Sequence, residues 1–311
     1  MKKFIQLVSL FFLPVIAGFV LMELRLRSLG NDYSYKSNYL DENSKNIQAI
    51  FLGNSHVYYG INPVHIKEKS FNASHVSQSL NYDLAILKKY NDRWRNLNYI
   101  VIPIPIFSFY YSIEHGIEKW RVKNYRLYYD IHLSKDFSSQ FEVFNGKFRT
   151  NLYRLRKKKP DITCNVLGFG VDYNSREKKD LIETGQTAAK RHNMILKDSS
   201  DYHLNYETLK SIIEFSEQQN AKLLFITCPA YKTYVEGIDQ KLFDNTIATI
   251  KKLSSGKPNV SYFNFLSDSS FVDQDFYDAD HLNEMGAKKL SLKIDSIMTR
   301  MDSAALSTPS D

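Results

Sequence analysis

Two short stretches near opposite ends of the chain carry the residue types that nucleophilic catalysis needs. In residues 51–56 a serine, Ser55, follows a glycine directly after an apolar run. In residues 276–283, Asp278 stands three positions before His281. A serine hydroxyl becomes nucleophilic near neutral pH when a base takes its proton, and an imidazole base needs an acceptor that fixes its tautomer. The three side chains therefore predict a Ser-His-Asp triad.

Each stretch on its own is open to a purely structural interpretation. A Gly-x-Ser after a strand also forms ordinary turns, and a histidine near a helix start also serves as a surface cap. Asp280 is an alternative acceptor for the imidazole, but neighbouring side chains usually diverge, so Asp278 is preferred. The catalytic interpretation requires Ser55 and His281 to share one edge of the fold.

Alternating apolar runs and helical patterns supply that edge. They predict a three-layer α/β/α fold around a parallel sheet of the flavodoxin-like kind. In such open sheets ligands bind outside the carboxyl ends of the strands, which is where both stretches fall. The predicted strands are 47–52, 99–106, 222–227 and 260–265, and the predicted helices are 80–94, 206–219, 240–253 and one after Asn283.

The chain resembles the SGNH/GDSL hydrolase superfamily, whose first block holds a serine after a glycine and whose last block is Asp-x-x-His. Residues 71–78 resemble the second block, in which a backbone N–H binds the oxyanion, and Ser77 falls at that position. The resemblance implies oxyanion donors at Ser55 and Ser77, a further side-chain donor at Asn72, and either substrate contact or simple packing for His56. The third block, Gly-x-Asn-Asp, is missing, because residues 102–108 read IPIPIFS.

Within that superfamily the chain is most similar to membrane-anchored envelope proteins, such as those for teichoic-acid D-alanine transfer and alginate acetylation. The similarity implies a serine esterase or O-acyltransferase that acts on acyl esters of a cell-surface polysaccharide. It also implies a membrane acyl-donor transporter or acyltransferase as partner. The missing third-block amide supports an alternative, a catalytically inactive glycan-binding or assembly partner that keeps the fold.

An uncharged apolar stretch opens the chain. Residues 4–22 follow two lysines and have about the length of a membrane-spanning helix, without a small-x-small cleavage site. We predict a single-pass anchor in residues 1–27, a stem in 28–46, a catalytic domain in 47–300 and a flexible tail in 301–311. Lys2 and Lys3 nearly balance Arg25 and Arg27, and the expected orientation places the domain at the periplasmic or outer side of the cytoplasmic membrane.

The net charge of +7 comes from one insertion, at about residues 108–204. Residues 116–160 hold twelve Lys and Arg against four Asp and Glu, a surplus of eight, so the rest of the chain sums to minus one. Aromatic residues alternate with these cations, a pattern that suits an anionic glycan, a lipid headgroup surface or an ordinary solvated face. With an anchor present we expect no nucleic-acid partner. We expect the insertion to form a lid or substrate platform.

The two cysteines, Cys164 and Cys228, show no metal-ligand spacing. We expect both to be thiols, with a single disulfide as the alternative. We predict no metal and no cofactor, since a Ser-His-Asp mechanism needs neither.

Overall fold

The computed structural model describes residues 1–144, 148–156 and 160–307, with the backbone alone for residues 7 and 304–307. Two stretches that the sequence analysis discusses lie outside this part: the three lysines at 157–159 in the basic insertion, and residues 308–311 at the end of the predicted tail. The chain divides into two compact units. Unit 1 comprises residues 1–38 and 117–162, and unit 2 comprises residues 39–116 and 163–311.

Unit 2 is built on a five-stranded sheet in the order β2-β1-β3-β4-β5, with every pairing parallel. Strand β1 pairs with β2 on one side and with β3 on the other, so that Ile50 lies beside Phe71 of β2 and Ile100 of β3. A short antiparallel pair, β6 with β7, follows the sheet. The strands are β1 Ala49–Phe51, β2 Ser70–Asn72, β3 Tyr99–Pro103, β4 Lys222–Thr227, β5 Val260–Asn264, β6 Phe276–Asp278 and β7 His281–Leu282.

Helices cover both faces of the sheet. Alternate strand residues such as Phe51, Val101 and Leu224 join one core cluster with Leu290 and Ile294 of the last helix. The residues between them in each strand must point to the opposite face. The helices are α1 Lys2–Arg27, α2 Asp32–Asn43, α3 Ser55–Tyr58, α4 Leu80–Lys89, α5 Val122–Tyr129, α6 Phe148–Arg156, α7 Leu181–Ile195, α8 Tyr202–Gln218, α9 Lys232–Gly237, α10 Gln240–Ser254 and α11 Glu284–Ser307.

The predicted fold class is confirmed: the sheet is parallel and belongs to an α/β architecture in which α4 and α8 pack together and α8 contacts β4. Strand β4 has the predicted bounds, and the other predicted elements agree to within a few residues. The edge strand β2 carries no long apolar run, and the sequence analysis did not predict it. Helix α2 lies within the region expected to be a stem, and α11 extends through residue 307 into the expected tail.

Unit 1 joins the N-terminal helix to part of the basic aromatic insertion. Glu142 lies in its interior, where it accepts hydrogen bonds from Lys123 at 2.5 Å, Arg154 at 2.7 Å and the Tyr128 hydroxyl at 2.8 Å. Burial alone would raise the pKa of Glu142, but the two cations hold it below its ordinary value. This ion cluster connects α5 and α6 to the loop between them.

Helix α1 is long and apolar enough to cross a membrane, and it alone is so among the described residues. None of its apolar window is buried within the protein. A signal sequence near the N-terminus also meets these criteria of length and apolar composition. Between the two cysteines, Cys164 and Cys228, there is no disulfide in the described part of the chain, as predicted.

Candidate active site

Ser55 is presented by a sharp turn at the carboxyl end of β1. Gly53 has φ +105°, a backbone conformation that residues with a Cβ rarely adopt, and a Cβ there would overlap the Pro103 ring. The Gly53 N–H donates to Asp83 at 2.7 Å, which fixes the turn from α4. Asn54 then caps α3, its side-chain oxygen accepting from the His56 N–H at 3.1 Å. Ser55 is therefore the first residue of this helix.

His281 and Asp278 are presented by the β6–β7 pair. The two residues lie opposite each other in the antiparallel register, which brings their side chains to one side of the turn. The turn is held by Asn283, whose side-chain amide donates to the Gln274 carbonyl at 2.7 Å and whose side-chain oxygen accepts from the Met285 N–H. This places the imidazole between the end of the sheet and the start of α11.

The two stretches meet. The Nε2 atom of His281 lies 2.8 Å from the Ser55 hydroxyl oxygen, although 226 positions separate the two residues in the sequence. Its other nitrogen, Nδ1, lies 2.9 Å from an oxygen of Asp278. Both distances are ordinary hydrogen-bond lengths. The three predicted triad residues therefore form one continuous chain of contacts, with the serine and the carboxylate on opposite nitrogens of the ring.

Asp280 also faces the imidazole, so the expectation that its side chain diverges from His281 is wrong. One of its oxygens is 3.5 Å from His281 Nδ1, a longer contact than that of Asp278. Its other oxygen is 3.4 Å from Arg191, 3.9 Å from His56 and 4.0 Å from His192. The side chain of Asp280 is 3% exposed, against 15% for Asp278, so Arg191 and the imidazoles take the place of water around it.

The carboxylates control the protonation of the imidazole. Burial acts to lower the pKa of His281, but the charges of Asp278 and Asp280 and their hydrogen bonds raise it well above its ordinary value. Burial acts to raise the pKa of Asp280, and the neighbouring imidazoles hold it well below its ordinary value. His56 has its pKa lowered by burial, with Asp280 opposing. Protonated His281, the species that forms when Ser55 loses its proton, is thus well stabilised.

His192 belongs to the same cluster. Burial lowers the pKa of its imidazole to about 3, so the ring is neutral at physiological pH. Its Nδ1 atom is 2.8 Å from the hydroxyl of Tyr234, and its ring lies 4.5 Å from that of Phe107. Neither His192 nor Tyr234 was predicted from the sequence, because α7 and α9 carry no motif and only their packing brings the two residues close to the triad.

The predicted oxyanion donors differ in whether their N–H groups already donate a hydrogen bond within the fold. Ser77 has a left-handed backbone, φ 62°, in the loop after β2. Within the described part of the chain, no hydrogen bond uses the N–H of Ser77 or of Ser55. The Asn72 side chain is fully buried and donates to the carbonyls of Val57 at 2.9 Å and Ile61 at 2.8 Å. Both of its amide hydrogens are used inside the fold, and neither is left for a substrate.

The chain after β3, where a third-block amide would stand, is apolar. Pro103, Pro105 and Phe107 line a space of about 20 Å³ together with Gly53 and Asn54. A second space of about 20 Å³ lies beside His56 and Asp280. Each has room for about one water molecule or a methyl group.

Stacked tyrosines form a wall beside His281. Tyr173 lies between Tyr59 and Tyr277, with ring centroids 3.7 Å and 3.9 Å apart. The His281 ring stands at 87° to that of Tyr173, at 5.3 Å. An open cavity of about 450 Å³ reaches this wall, lined by Phe169, Val171, Tyr173, Asn174, Arg176, Glu177 and Glu284. Because Tyr173 lies in a loop without a motif, this wall could not be predicted from the sequence.

One group of side chains in the site has the types that metal ions prefer. Ligand atoms of His56, Asp280 and His281 lie within 4.8 Å of one another. Both nitrogens of His281 already contact Ser55 and Asp278. A metal ion on the ring would have to displace one of these contacts, so the arrangement fits the triad better than a metal site.

Comparisons with known proteins give little further information. No protein-family model matches the chain, and no curated protein matches it. A solved structure from Streptococcus pneumonia, described provisionally as a platelet activating factor, is similar with a TM-score of 0.43 and 10% identity. The alignment covers 93% of this chain and 99% of that one. A likeness at this level carries no argument about activity, so the function must be inferred from the site itself.

Proposed function

We propose that this protein is a membrane-anchored serine esterase or O-acyltransferase that acts on acyl esters, acetyl above all, of a cell-surface polysaccharide. The observation that supports it most is the continuous contact from Asp278 through His281 to Ser55, at 2.9 Å and 2.8 Å. A buried imidazole between a partly exposed serine and a partly exposed carboxylate has the geometry of an acyl-transfer catalyst.

In the first half of the reaction the Ser55 oxygen attacks the ester carbonyl carbon while His281 Nε2 takes the hydroxyl proton. The tetrahedral intermediate then loses the alcohol, which leaves with the proton that His281 returns, and an acyl-serine remains. In the second half, water or a sugar hydroxyl attacks this ester, again through His281. Asp278 stabilises the imidazolium through its contact with Nδ1.

The oxyanion of the intermediate is bound by backbone N–H groups. We assign these to Ser55 and Ser77, since neither N–H is used elsewhere in the described part of the chain. A preorganised donor of this kind contributes about 3 kcal/mol to the transition state. Asn72 donates both amide hydrogens within the fold, and the side-chain amide of the third block is missing. The two backbone N–H groups are therefore the donors that we assign to the oxyanion.

We assign the acyl methyl to the small cavity lined by Gly53 and Asn54, the two residues that precede Ser55. This cavity holds about 20 Å³, which is room for a methyl group. The larger cleft at Tyr173, about 450 Å³, has the size and the polar rim of a saccharide site. His56, beside the triad and neutral through burial, is assigned a place at the substrate.

The membrane placement is part of the proposal. We assign α1 as a single-pass anchor in the cytoplasmic membrane, with unit 2 on the periplasmic or outer side, where polysaccharide is available. A transferase of this kind receives its acyl group from a membrane acyl-donor transporter or acyltransferase. This placement excludes nucleic acid as a partner.

The test uses full-length protein in detergent, with 4-nitrophenyl acetate and an O-acetylated polysaccharide as substrates. We expect acetate release, and Ser55→Ala to reduce the rate by at least about 10³-fold. Ser77→Ala is the matched control, since it keeps the backbone N–H, and we expect it to retain most activity. Adding a saccharide acceptor separates hydrolysis from transfer, because a transferase forms acetylated saccharide at the expense of acetate.

An unchanged rate in Ser55→Ala would contradict the proposal. Acetate release no faster than background in the unaltered chain would instead favour a non-catalytic glycan-binding partner with the same fold, for which the missing third-block amide is the supporting observation.

A further inference from the structure

The end of α1 is bonded to the insertion within unit 1. The carboxylate of Glu23 accepts from the backbone N–H groups of Glu142 at 3.0 Å and Val143 at 2.9 Å. Arg27 donates to the Gln140 carbonyl at 2.8 Å. Glu23 is the first charged residue after the apolar residues 4–22. The insertion is therefore fixed at the level where α1 stops being apolar.

One aromatic residue of the insertion reaches past that level. The ring of Phe144 lies 6.3 Å from that of Phe19. Phe19 precedes Glu23 by four residues, which is about 6 Å along the helix axis at 1.5 Å per residue. If α1 crosses a bilayer, Phe144 lies beside its apolar part, about one turn below the first charge. Phe144 is 57% exposed in the absence of lipid.

Helix α6 continues this surface. It packs against α1, yet Phe148, Leu152 and Tyr153 are all exposed. Two cations, Arg149 and Arg156, are exposed on the same helix. Aromatic and apolar side chains mixed with arginine, beside a spanning helix, are typical of segments that lie at a membrane interface.

We propose that Phe144 and α6 are embedded in the interfacial layer of the bilayer and that Arg149 and Arg156 bind the headgroups of anionic phospholipids. The bilayer is the occupant that the geometry favours, because the surface is continuous with the apolar length of α1. This inference rests on the membrane placement of α1 proposed above and is independent of the chemistry at Ser55.

The basic insertion then has a positional role. In this arrangement part of it attaches unit 1 flat to the lipid surface, instead of acting as a lid on the substrate. The buried ion cluster of Glu142, Lys123 and Arg154 holds α6 in the orientation that presents its apolar residues. Lipid contact would bury side chains that are otherwise exposed to water.

The experiment uses the full chain in nanodiscs of phosphatidylcholine and phosphatidylglycerol. A benzophenone amino acid replaces Leu10, Phe144 or Phe148, one at a time, and lipid adducts are identified by mass spectrometry after irradiation. We expect adducts at all three positions. Adducts at Leu10 without adducts at Phe144 and Phe148 would overturn the inference. No adduct at Leu10 would mean that α1 is not in the bilayer, and both the placement and the inference would fail.

The headgroup preference is read from the same adducts. At Phe148 we expect the ratio of phosphatidylglycerol adducts to phosphatidylcholine adducts to exceed the ratio of the two lipids in the nanodisc, by about fivefold for each nearby arginine. Arg149→Glu with Arg156→Glu should remove that enrichment. Lys88→Glu with Lys89→Glu, which alters the same net charge on exposed residues of α4, is the matched control and should leave it unchanged. An equal loss in both variants, or no enrichment in the unaltered chain, would contradict the assignment of the arginines. Acetyl-ester turnover by the same preparations reports separately on Ser55.

Discussion

The two carboxylates on either side of His281 differ in what surrounds them. Asp278 makes the shorter contact, 2.9 Å, and keeps some access to solvent. Asp280 lies at 3.5 Å, is almost fully buried, and has Arg191, His56 and His192 around its second oxygen. The Asp278 oxygen at the imidazole also accepts from the backbone N–H of Asp280 at 3.2 Å, which holds the carboxylate in place. A carboxylate held in this way can orient one imidazole, whereas one shared among several charged or titratable side chains mainly balances charge. We infer that Asp278 orients the imidazole and Asp280 sets the electrostatics of the buried side.

The largest effect should come from the orienting carboxylate. Asp278→Asn keeps the shape but replaces the acceptor at Nδ1 with a group that can donate, which favours the wrong imidazole tautomer. We expect the rate of acetyl-ester hydrolysis to fall by about 10²- to 10⁴-fold. Steady-state kinetics against 4-nitrophenyl acetate check this, with a melting curve as the control for folding. A loss below about tenfold would show that Asp278 is not the orienting group.

Asp280→Asn should have a smaller effect on the rate and a larger effect on stability. It removes the buried carboxylate that the imidazoles of His281, His56 and His192 face. Because Arg191 is 49% exposed and stays partly hydrated, we expect the free energy of unfolding to drop by only about 1 to 3 kcal/mol. Denaturant titration measures this change. If Asp280→Asn instead lowers the rate as strongly as Asp278→Asn, the two roles assigned here are reversed.

Asp280→Asn should also shift the pH dependence of the rate of acetyl-ester hydrolysis. Catalysis needs neutral His281, whose pKa is raised above its ordinary value by Asp278 and Asp280 against the effect of burial. The rate should therefore rise with pH through a pKa above about 6.5, and Asp280→Asn should shift this limb to lower pH. An unshifted limb would mean that Asp280 does not act on the imidazole.

Stability should respond to pH with a defined sign as well. The pKa of Asp280 is depressed in the folded protein, despite the opposing effect of burial, through His281 and its other neighbours. Its contribution is present above the unfolded pKa of about 3.9 and is lost as pH falls through the folded value. The stability difference between the unaltered protein and Asp280→Asn should therefore shrink below about pH 4, measurable by denaturant titration at several pH values.

The smallest effect on the rate should come from Tyr234, which contacts His192 on the side of the buried cluster away from His281. Tyr234→Phe removes the hydroxyl at 2.8 Å from His192 and should cost about 1 kcal/mol of stability, with less than a threefold change in rate. Tyr262→Phe, which loses a similar 2.8 Å contact with Thr227, is the matched control. A tenfold loss of rate in Tyr234→Phe alone would place the buried cluster in the reaction itself.

The part of the site that sequence reasoning found is the part that topology dictates. Ser55 follows β1, and the β6–β7 pair that carries Asp278 and His281 follows β5. Since parallel strands end at a common edge, their meeting could be predicted. The role of Asn72 could not, because a side-chain amide has the same signature whether it donates to a substrate or to the carbonyls of Val57 and Ile61.

The buried cluster and the tyrosine wall were beyond such reasoning for a different reason. His192 and Tyr234 come from α7 and α9, whose packing depends on the close approach of Gly185 to Thr233. Tyr173 comes from a loop and is placed by stacking on Tyr59 and Tyr277. Tertiary packing alone creates these contacts, and no local pattern in the sequence encodes it.

The most direct test of the central claim is covalent labelling of the nucleophile. Full-length protein in detergent is treated with a fluorophosphonate probe, digested, and mapped by mass spectrometry. The triad predicts that the probe is attached to Ser55, that Ser55→Ala abolishes labelling, and that Ser77→Ala is still labelled. Labelling that persists unchanged in Ser55→Ala, or that maps to another residue, would show that the contact between Ser55 and His281 is not a catalytic one.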